Sequence, residues 1–144
     1  MAQYSESFWM QQAIKAGREG DTPFGAVIVN AENDYISAFN STNEDGATAH
    51  AEMNEIRKIR PLPFKHPSEL TLYTTVEPCP MCMGAIIWAG IGNIRYGISI
   101  EEVSVFIKQI KISSHEVASK SWKQVTIKGG IEKEKCLELW GSTP

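Results

Sequence analysis

Two thiols three residues apart, Cys79 and Cys82, stand in Val76-Glu77-Pro78-Cys79-Pro80-Met81-Cys82 directly after an extended apolar run, and this spacing limits the chain more than any other feature. Pro80 has a fixed φ and no N–H to lose, which suits the first position of a helix. Both sulfurs then lie on that helix's first turn, where aligned amide dipoles favour thiolate over thiol. A divalent metal is the natural partner. Two thiolates do not complete a tetrahedral zinc site, so further ligands must come from elsewhere in the chain.

The chain has three histidines, His50, His66 and His115. His50 stands out in Thr48-Ala49-His50-Ala51-Glu52, with an apolar-periodic helix (Ala49, Met53, Ile56) running away from it. Residues two apart do not share a helix flank, so His50 and Glu52 reach one ion only if their helix points its N-terminal end at it, as the Pro80 helix does. One imidazole and two thiolates leave a fourth position for water, the arrangement of a catalytic rather than a structural zinc. A structural site needs a fourth protein ligand. The remaining cysteine, Cys136, falls on an amphipathic terminal segment and reads as core filler. Glu52 also has an ordinary reading, a solvated first-turn acid favoured by the helix dipole.

At 144 residues and 42% apolar, the chain suits one domain spanning residues 1–144. Net charge is −3, the pI is about 5.6 and no Lys/Arg run exceeds two, so the basic stripe of a strong phosphate-backbone binder is missing and a small substrate is favoured. No apolar run approaches the roughly 18 residues of a membrane span. The start, Met1-Ala2-Gln3-Tyr4-Ser5-Glu6, lacks the basic and apolar segments of a signal peptide. Both points, with an unpaired Cys136, predict a cytoplasmic protein without disulfides.

The elements follow from periodicity and punctuation. A first helix capped by Ser5 or Ser7 carries Phe8, Trp9, Ala13 and Ile14 and ends in Gly17 and Gly20. Residues 24–30 and 35–39 read as a hairpin across Ala31-Glu32-Asn33-Asp34, and 40–47 as a loop. The His50 helix runs to Arg60, before Pro61 and Pro63. Residues 70–76 form a third strand, the Pro80 helix closes near Gly90 or Gly92, and 93–97 form a fourth strand, parallel to the third because a helix intervenes. Residues 101–110 read as helix, or as strand through Val103, Val105, Ile107, Ile110 and Ile112. A fifth strand at 124–128 and a final helix at 131–140, with Cys136, Leu137 and Trp140 on one side, complete an α/β three-layer α/β/α sandwich around a mixed five-stranded sheet.

His50-Ala51-Glu52 followed by Pro78-Cys79-Pro80-Met81-Cys82 resembles the zinc signature of the cytidine-deaminase-like superfamily. Within it, Pro23-Phe24-Gly25-Ala26-Val27-Ile28-Val29 and Glu77 to Cys82 with Ala85-Ile86-Ile87-Trp88-Ala89 look most like bacterial guanine deaminases, whereas Gln124 to Ile131 is similar to tRNA adenosine deaminases. The likeness covers residues 23–97 well and thins beyond Gly97. It implies one zinc per chain on His50, Cys79 and Cys82. It also implies hydrolytic deamination, with Glu52 taking a proton from water, passing it to a ring nitrogen and later to the departing ammonia.

The resemblance suggests substrate contacts as well. Asn40 stands near the interval of a base-recognising asparagine, with Asn43 as rival because Asp45-Gly46-Ala47-Thr48 shifts the loop by one residue. The backbone N–H of Ala51 is expected to hold an exocyclic substituent, and Glu77 to contact substrate or support the ligands. Phe24 and Trp88 are candidates to stack on a base, worth about 1–3 kcal/mol, or are ordinary core aromatics. The implied substrate is a free nucleobase or nucleoside: guanine first, giving xanthine and ammonia, an aminopyrimidine such as cytosine second, and tRNA adenosine third. Guanine calls for an acceptor opposite its ring N–H groups, and Glu101, Glu102 and Glu116 are the acids available in residues 97–117. A homodimer is expected from the family and from the apolar run Ile86 to Ile91.

Overall fold

The computed structural model describes residues 4–141, so Met1, Ala2 and Gln3 of the start segment lie outside the described residues. Helix α1 (Glu6–Glu19) begins where the Ser5 hydroxyl accepts the Phe8 N–H at 3.0 Å, which settles the cap between the two serines. Strands β1 (Gly25–Val29) and β2 (Tyr35–Phe39) form the expected hairpin. Strand β3 (Thr71–Val76) is antiparallel to β1, and β4 (Asn93–Ile98) and β5 (Thr126–Lys128) continue the sheet in parallel, in the order β2-β1-β3-β4-β5.

Alternation along the inner strands sends side chains into two cores. Val27, Val29 and Tyr73 meet Trp9, Met10, Ala13 and Ile14 of α1 on one face, together with Cys136 of helix α7 (Lys133–Glu138). Ile28, Leu72 and Ile94 meet Met83, Ile86 and Ile87 of helix α4 (Pro80–Ala89) on the other. A sheet buried on both faces yields three layers, and each fully buried Ile or Leu contributes about 1.5–3 kcal/mol relative to exposure. The run expected to exceed one domain's burial is absorbed here: Ile86, Ile87 and Ile91 are buried within the chain, and Gly90 ends α4 at φ 85°. The apolar surplus offered for a dimer thus reduces to Trp88, which is 79% exposed.

The differences from expectation have local causes. Helix α3 (Ala51–Arg57) stops three residues before Arg60, because the residue preceding Pro61 is pushed out of the helical region. Between Asn40 and Ala47 a single turn, α2 (Thr42–Asp45), replaces the loop. Residues 101–110 are neither a long helix nor a strand. Helix α5 (Ile100–Val103) is held by a capping box in which the Ser99 hydroxyl accepts the Glu102 N–H and the Glu102 carboxylate accepts the Ser99 N–H. The stretch beyond it joins no strand of the sheet, both sides of β4 being taken by β3 and β5, and Val105, Ile107, Ile110 and Ile112 stay exposed. The unexpected α6 (Ser114–Ser119) starts from a second Ser-x-x-Glu, with the Ser113 hydroxyl accepting the Glu116 N–H at 3.1 Å.

Candidate active site

Strand β3 ends at Val76 and delivers Glu77, Pro78 and Cys79 to the C-terminal edge of the sheet. Cys79 is the N-cap of α4, Pro80 its first residue, and Cys82 lies in its first turn; His50 is the N-cap of α3. Two helix N-termini therefore converge on one point. His50 Nδ1 lies 3.7 Å from Cys79 Sγ and 3.5 Å from Cys82 Sγ. A tetrahedral zinc with bonds of about 2.0–2.1 Å to nitrogen and 2.3 Å to sulfur places such atoms about 3.6 Å apart. The three donors thus already stand at zinc-binding separations, and they are the group of this kind among the described residues.

The electrostatics match. The Cys82 thiol, donating to Cys79, brings the Cys79 thiol down to about 4, aided by His50, while Cys82 is pushed up by that shared hydrogen bond and by burial. Hydrogen bonding with Cys79 raises His50. A divalent cation lowers thiol pKa values strongly, so both sulfurs become thiolates on binding it. Glu52, 6% exposed, is raised to about 7, chiefly by burial and further by the Cys79 charge, while its own backbone N–H opposes the rise.

His50, Glu52 and Cys79 open onto one cavity of about 520 Å³, a size typical of small-molecule sites, whose wall also includes Phe24, Asn40 and Lys108. Asn40 lines it and Asn43 is exposed outside it, which separates the two rivals. Asn40 Oδ1 accepts the Thr42 N–H at 3.3 Å, and its backbone N–H donates to Phe24 O at 3.2 Å. Phe24 is held from both sides: Thr75 Oγ1 donates to Pro23 O at 2.7 Å and accepts the Gly25 N–H at 3.1 Å, while Trp140 meets the Phe24 ring edge to face at 5.4 Å. Gly25 is required there, since a Cβ would come within 2.0 Å of Ala13 O. Ala51 is fully buried between His50 and Glu52 at the start of α3.

One expected contact is corrected. Trp88 points away from the cavity and packs on Trp122 at the surface, ring centroids 4.7 Å apart, because the sheet-facing side of α4 is taken by Ile86 and Ile87. Glu77 borders the cavity, but its carboxylate is engaged by protein donors: the Ile100 N–H at 2.9 Å and, on the other oxygen, the Ser114 N–H at 2.8 Å and hydroxyl at 2.6 Å. Of the acids in residues 97–117, Glu102 caps α5 and pairs with Lys133, and none lines the cavity. Sequence reasoning missed Ile107, Lys108, Gln109 and Ile110, which form one wall, and Asn54, whose amide donates to Phe39 O at 2.8 Å and Ser41 Oγ at 2.9 Å and so ties α3 to the Asn40 loop. The paired Ser-x-x-Glu boxes at Ser99 and Ser113 were the available signal for that wall, since they bracket an irregular excursion.

The family model for the cytidine and deoxycytidylate deaminase zinc-binding region matches residues 3–98. The chain belongs to this family. Its members bind zinc, and in this deaminase domain His50, Cys79 and Cys82 can hold the ion. A probable cytosine deaminase from Schizosaccharomyces pombe is 39% identical over 101 residues, 66% of this chain and 61% of that protein. A tRNA-specific adenosine deaminase from Buchnera aphidicola (subspecies Schizaphis graminum) is 31% identical over 142 residues, 93% of this chain and 90% of that protein. The solved guanine deaminase from Nitrosomonas europaea shares the fold, with a TM-score of 0.82 at 18% identity over 97% of this chain and 85% of the other. The deaminase is a hydrolase acting on C–N bonds.

Proposed function

We propose that residues 1–144 act as one zinc-dependent domain that hydrolytically deaminates a free nucleobase or nucleoside, with guanine the first substrate and cytosine the next. The observation carrying this reading is Glu52: a carboxyl buried beside the His50, Cys79 and Cys82 donor set, facing the same cavity, with a pKa near the working pH of a general acid–base group. Bound by the three donors, zinc supplies the Lewis acidity that makes a water molecule acidic. Glu52 takes one proton from the attacking water and delivers it to the ring nitrogen as the water oxygen bonds to the amine-bearing carbon. It then takes the second proton from the new hydroxyl and passes it to the amino group, so that the C–N bond breaks and ammonia leaves. Buried carboxyls suit this because little charge separation is solvated away.

Asn40 and Gln109 supply carboxamides to the cavity, each able to donate to a carbonyl and accept from a ring N–H. In this reading their amide oxygens take the part for which an acid was expected, and Phe24 closes the cavity beside the base. A second reading, a base within tRNA, draws on Lys108 in the cavity wall, on Lys111 next to the exposed Ile110 and Ile112, and on the near full-length Buchnera relative. The test is ammonia release from guanine, cytosine, adenine, their nucleosides and a tRNA anticodon stem, with the salt dependence of binding. Xanthine from guanine with little salt response supports the first reading. Turnover confined to the anticodon stem, with affinity falling steeply as salt rises, replaces it with the second. A cytoplasmic homodimer belongs to the same reading, and a monomer by sedimentation at micromolar concentration would remove the dimer.

A further inference from the structure

We propose that Glu77 is a positioning residue that sets the cavity wall at residues 107–110 and, through it, substrate affinity; the affinity part rests on the deaminase reading above. Glu77 is 5% exposed and lies two residues before Cys79. Its Oε1 accepts the Ile100 N–H, and its Oε2 accepts both the N–H and the hydroxyl of Ser114. Ile100 is the first residue of α5 and Ser114 the first of α6. One carboxylate therefore holds both ends of the excursion that leaves the sheet after β4 and returns at α6. The middle of that excursion, Ile107, Lys108, Gln109 and Ile110, lines the same cavity as His50, Glu52 and Cys79.

Besides the Glu77 clamp, the start of the excursion is held by buried Val103 and by the Glu102–Lys133 pair, and its middle has fewer restraints. The backbone donors of Ser104, Phe106, Ile107 and Ile112 reach only Ile100, Val103 and Ile110, so no strand pairing fixes it to the sheet. Phe106 stacks on Trp140 with centroids 4.9 Å apart, and Trp140 in turn meets Phe24, which makes one side contact. The Glu77 clamp thus connects the turn bearing Cys79 to the segment that supplies residues 107–110 to the cavity. A carboxylate suits this task because it is acceptor-only and can serve three converging donors without presenting one of its own. In Glu77→Gln one oxygen becomes an NH₂ group, which cannot accept from the Ile100 or Ser114 N–H, so one end of the excursion is released while side-chain shape is retained.

The experiment uses the zinc-loaded full chain as wild type, Glu77→Gln and Ser114→Ala, and reads zinc per chain, amide hydrogen exchange over residues 100–114, and steady-state kinetics on the base that the ammonia screen identifies. For Glu77→Gln the expectation is a full zinc equivalent, exchange and KM each raised about tenfold, as leaving a buried donor unpaired implies, and kcat changed far less. Ser114→Ala removes only the hydroxyl donor and should shift exchange and KM in the same direction by a smaller factor; it also decides the matter if Glu77→Gln does not fold. Unchanged exchange in the folded variants, zinc loss from folded Glu77→Gln, or a fall in kcat with KM constant would overturn the proposal. Exchange and zinc content need no substrate. A failure of every base in the screen would therefore count against the deaminase reading while the clamp itself is still judged.

Discussion

Glu52 and Glu55 stand three residues apart on α3, both buried, yet Glu52 faces the cavity and Glu55 is sealed in the core with neither carboxylate oxygen hydrogen-bonded. One helix turn thus separates a carboxyl beside the metal donors from one whose oxygens have no hydrogen-bond partner.

Glu55 should make stability fall with rising pH. Burial, reinforced by the negative charge of Glu52, holds it well above its usual value, so the folded chain keeps a proton that the unfolded chain loses above about 4.5. Its contribution is fully present below that pH and declines as pH rises towards the folded pKa, by at most about 1.4 kcal/mol per unit. Glu55→Leu is expected to raise thermal stability, by more at pH 8 than at pH 5, and about 1–3 kcal/mol at the higher pH is a reasonable scale for removing an unsatisfied buried polar group. Equal gains at both pH values in thermal unfolding would mean that Glu55 does not titrate with folding.

Replacing Glu52 by Gln keeps the shape of the side chain and removes the proton carrier. Zinc content and the folded state should be retained, and turnover should drop by about 10²–10⁴, the usual contribution of a general acid–base group. Near wild-type ammonia release from the variant would take Glu52 out of the mechanism.

Metal loading should fail without either thiolate. Cys79→Ala and Cys82→Ala are expected to purify with well under one zinc per chain, and a chelator should lower the melting temperature of the wild type, because an ion bound only by the native state stabilises it by mass action. A full zinc equivalent in either variant, by metal analysis, contradicts the donor set of His50, Cys79 and Cys82.

The two aromatic candidates are separated by where they lie. Phe24 lines the cavity, so Phe24→Ala should raise KM about fivefold or more, in keeping with base–aromatic stacking of roughly 1–3 kcal/mol. Trp88→Ala removes a surface ring whose partner is Trp122 and should leave KM unaltered. Reversed effects in the two variants would place the base beside α4 instead.

The metal donors and the sheet were legible in the residues alone because each depends on short-range rules. Cys-x-x-Cys with Pro80 between the thiols determines a helix start, the Thr48 to Glu52 stretch determines another, and the continuous apolar run of β1, the hairpin turn after it and a helix before β4 determine a mixed, doubly covered sheet. The cavity wall is a different case. Residues 105–112 are rich in β-branched and aromatic side chains that suit a strand, but composition cannot say whether a strand is free to pair, and β5 already occupies the outer side of β4. Likewise Glu77, Glu102 and Glu116 look alike as acids in a sequence, and only the folded chain decides that Glu77 meets Ile100 and Ser114, that Glu102 meets Ser99 and Lys133, and that the Glu116 N–H meets the Ser113 cap of α6. Trp88 and Phe24 are separated in the same way, since the phase of α4 leaves Trp88 outside while packing against Trp140 covers Phe24. Ligand spacing is set within one turn of chain, whereas a partner 23 or 37 residues away, as for Glu77, is set by how the layers pack.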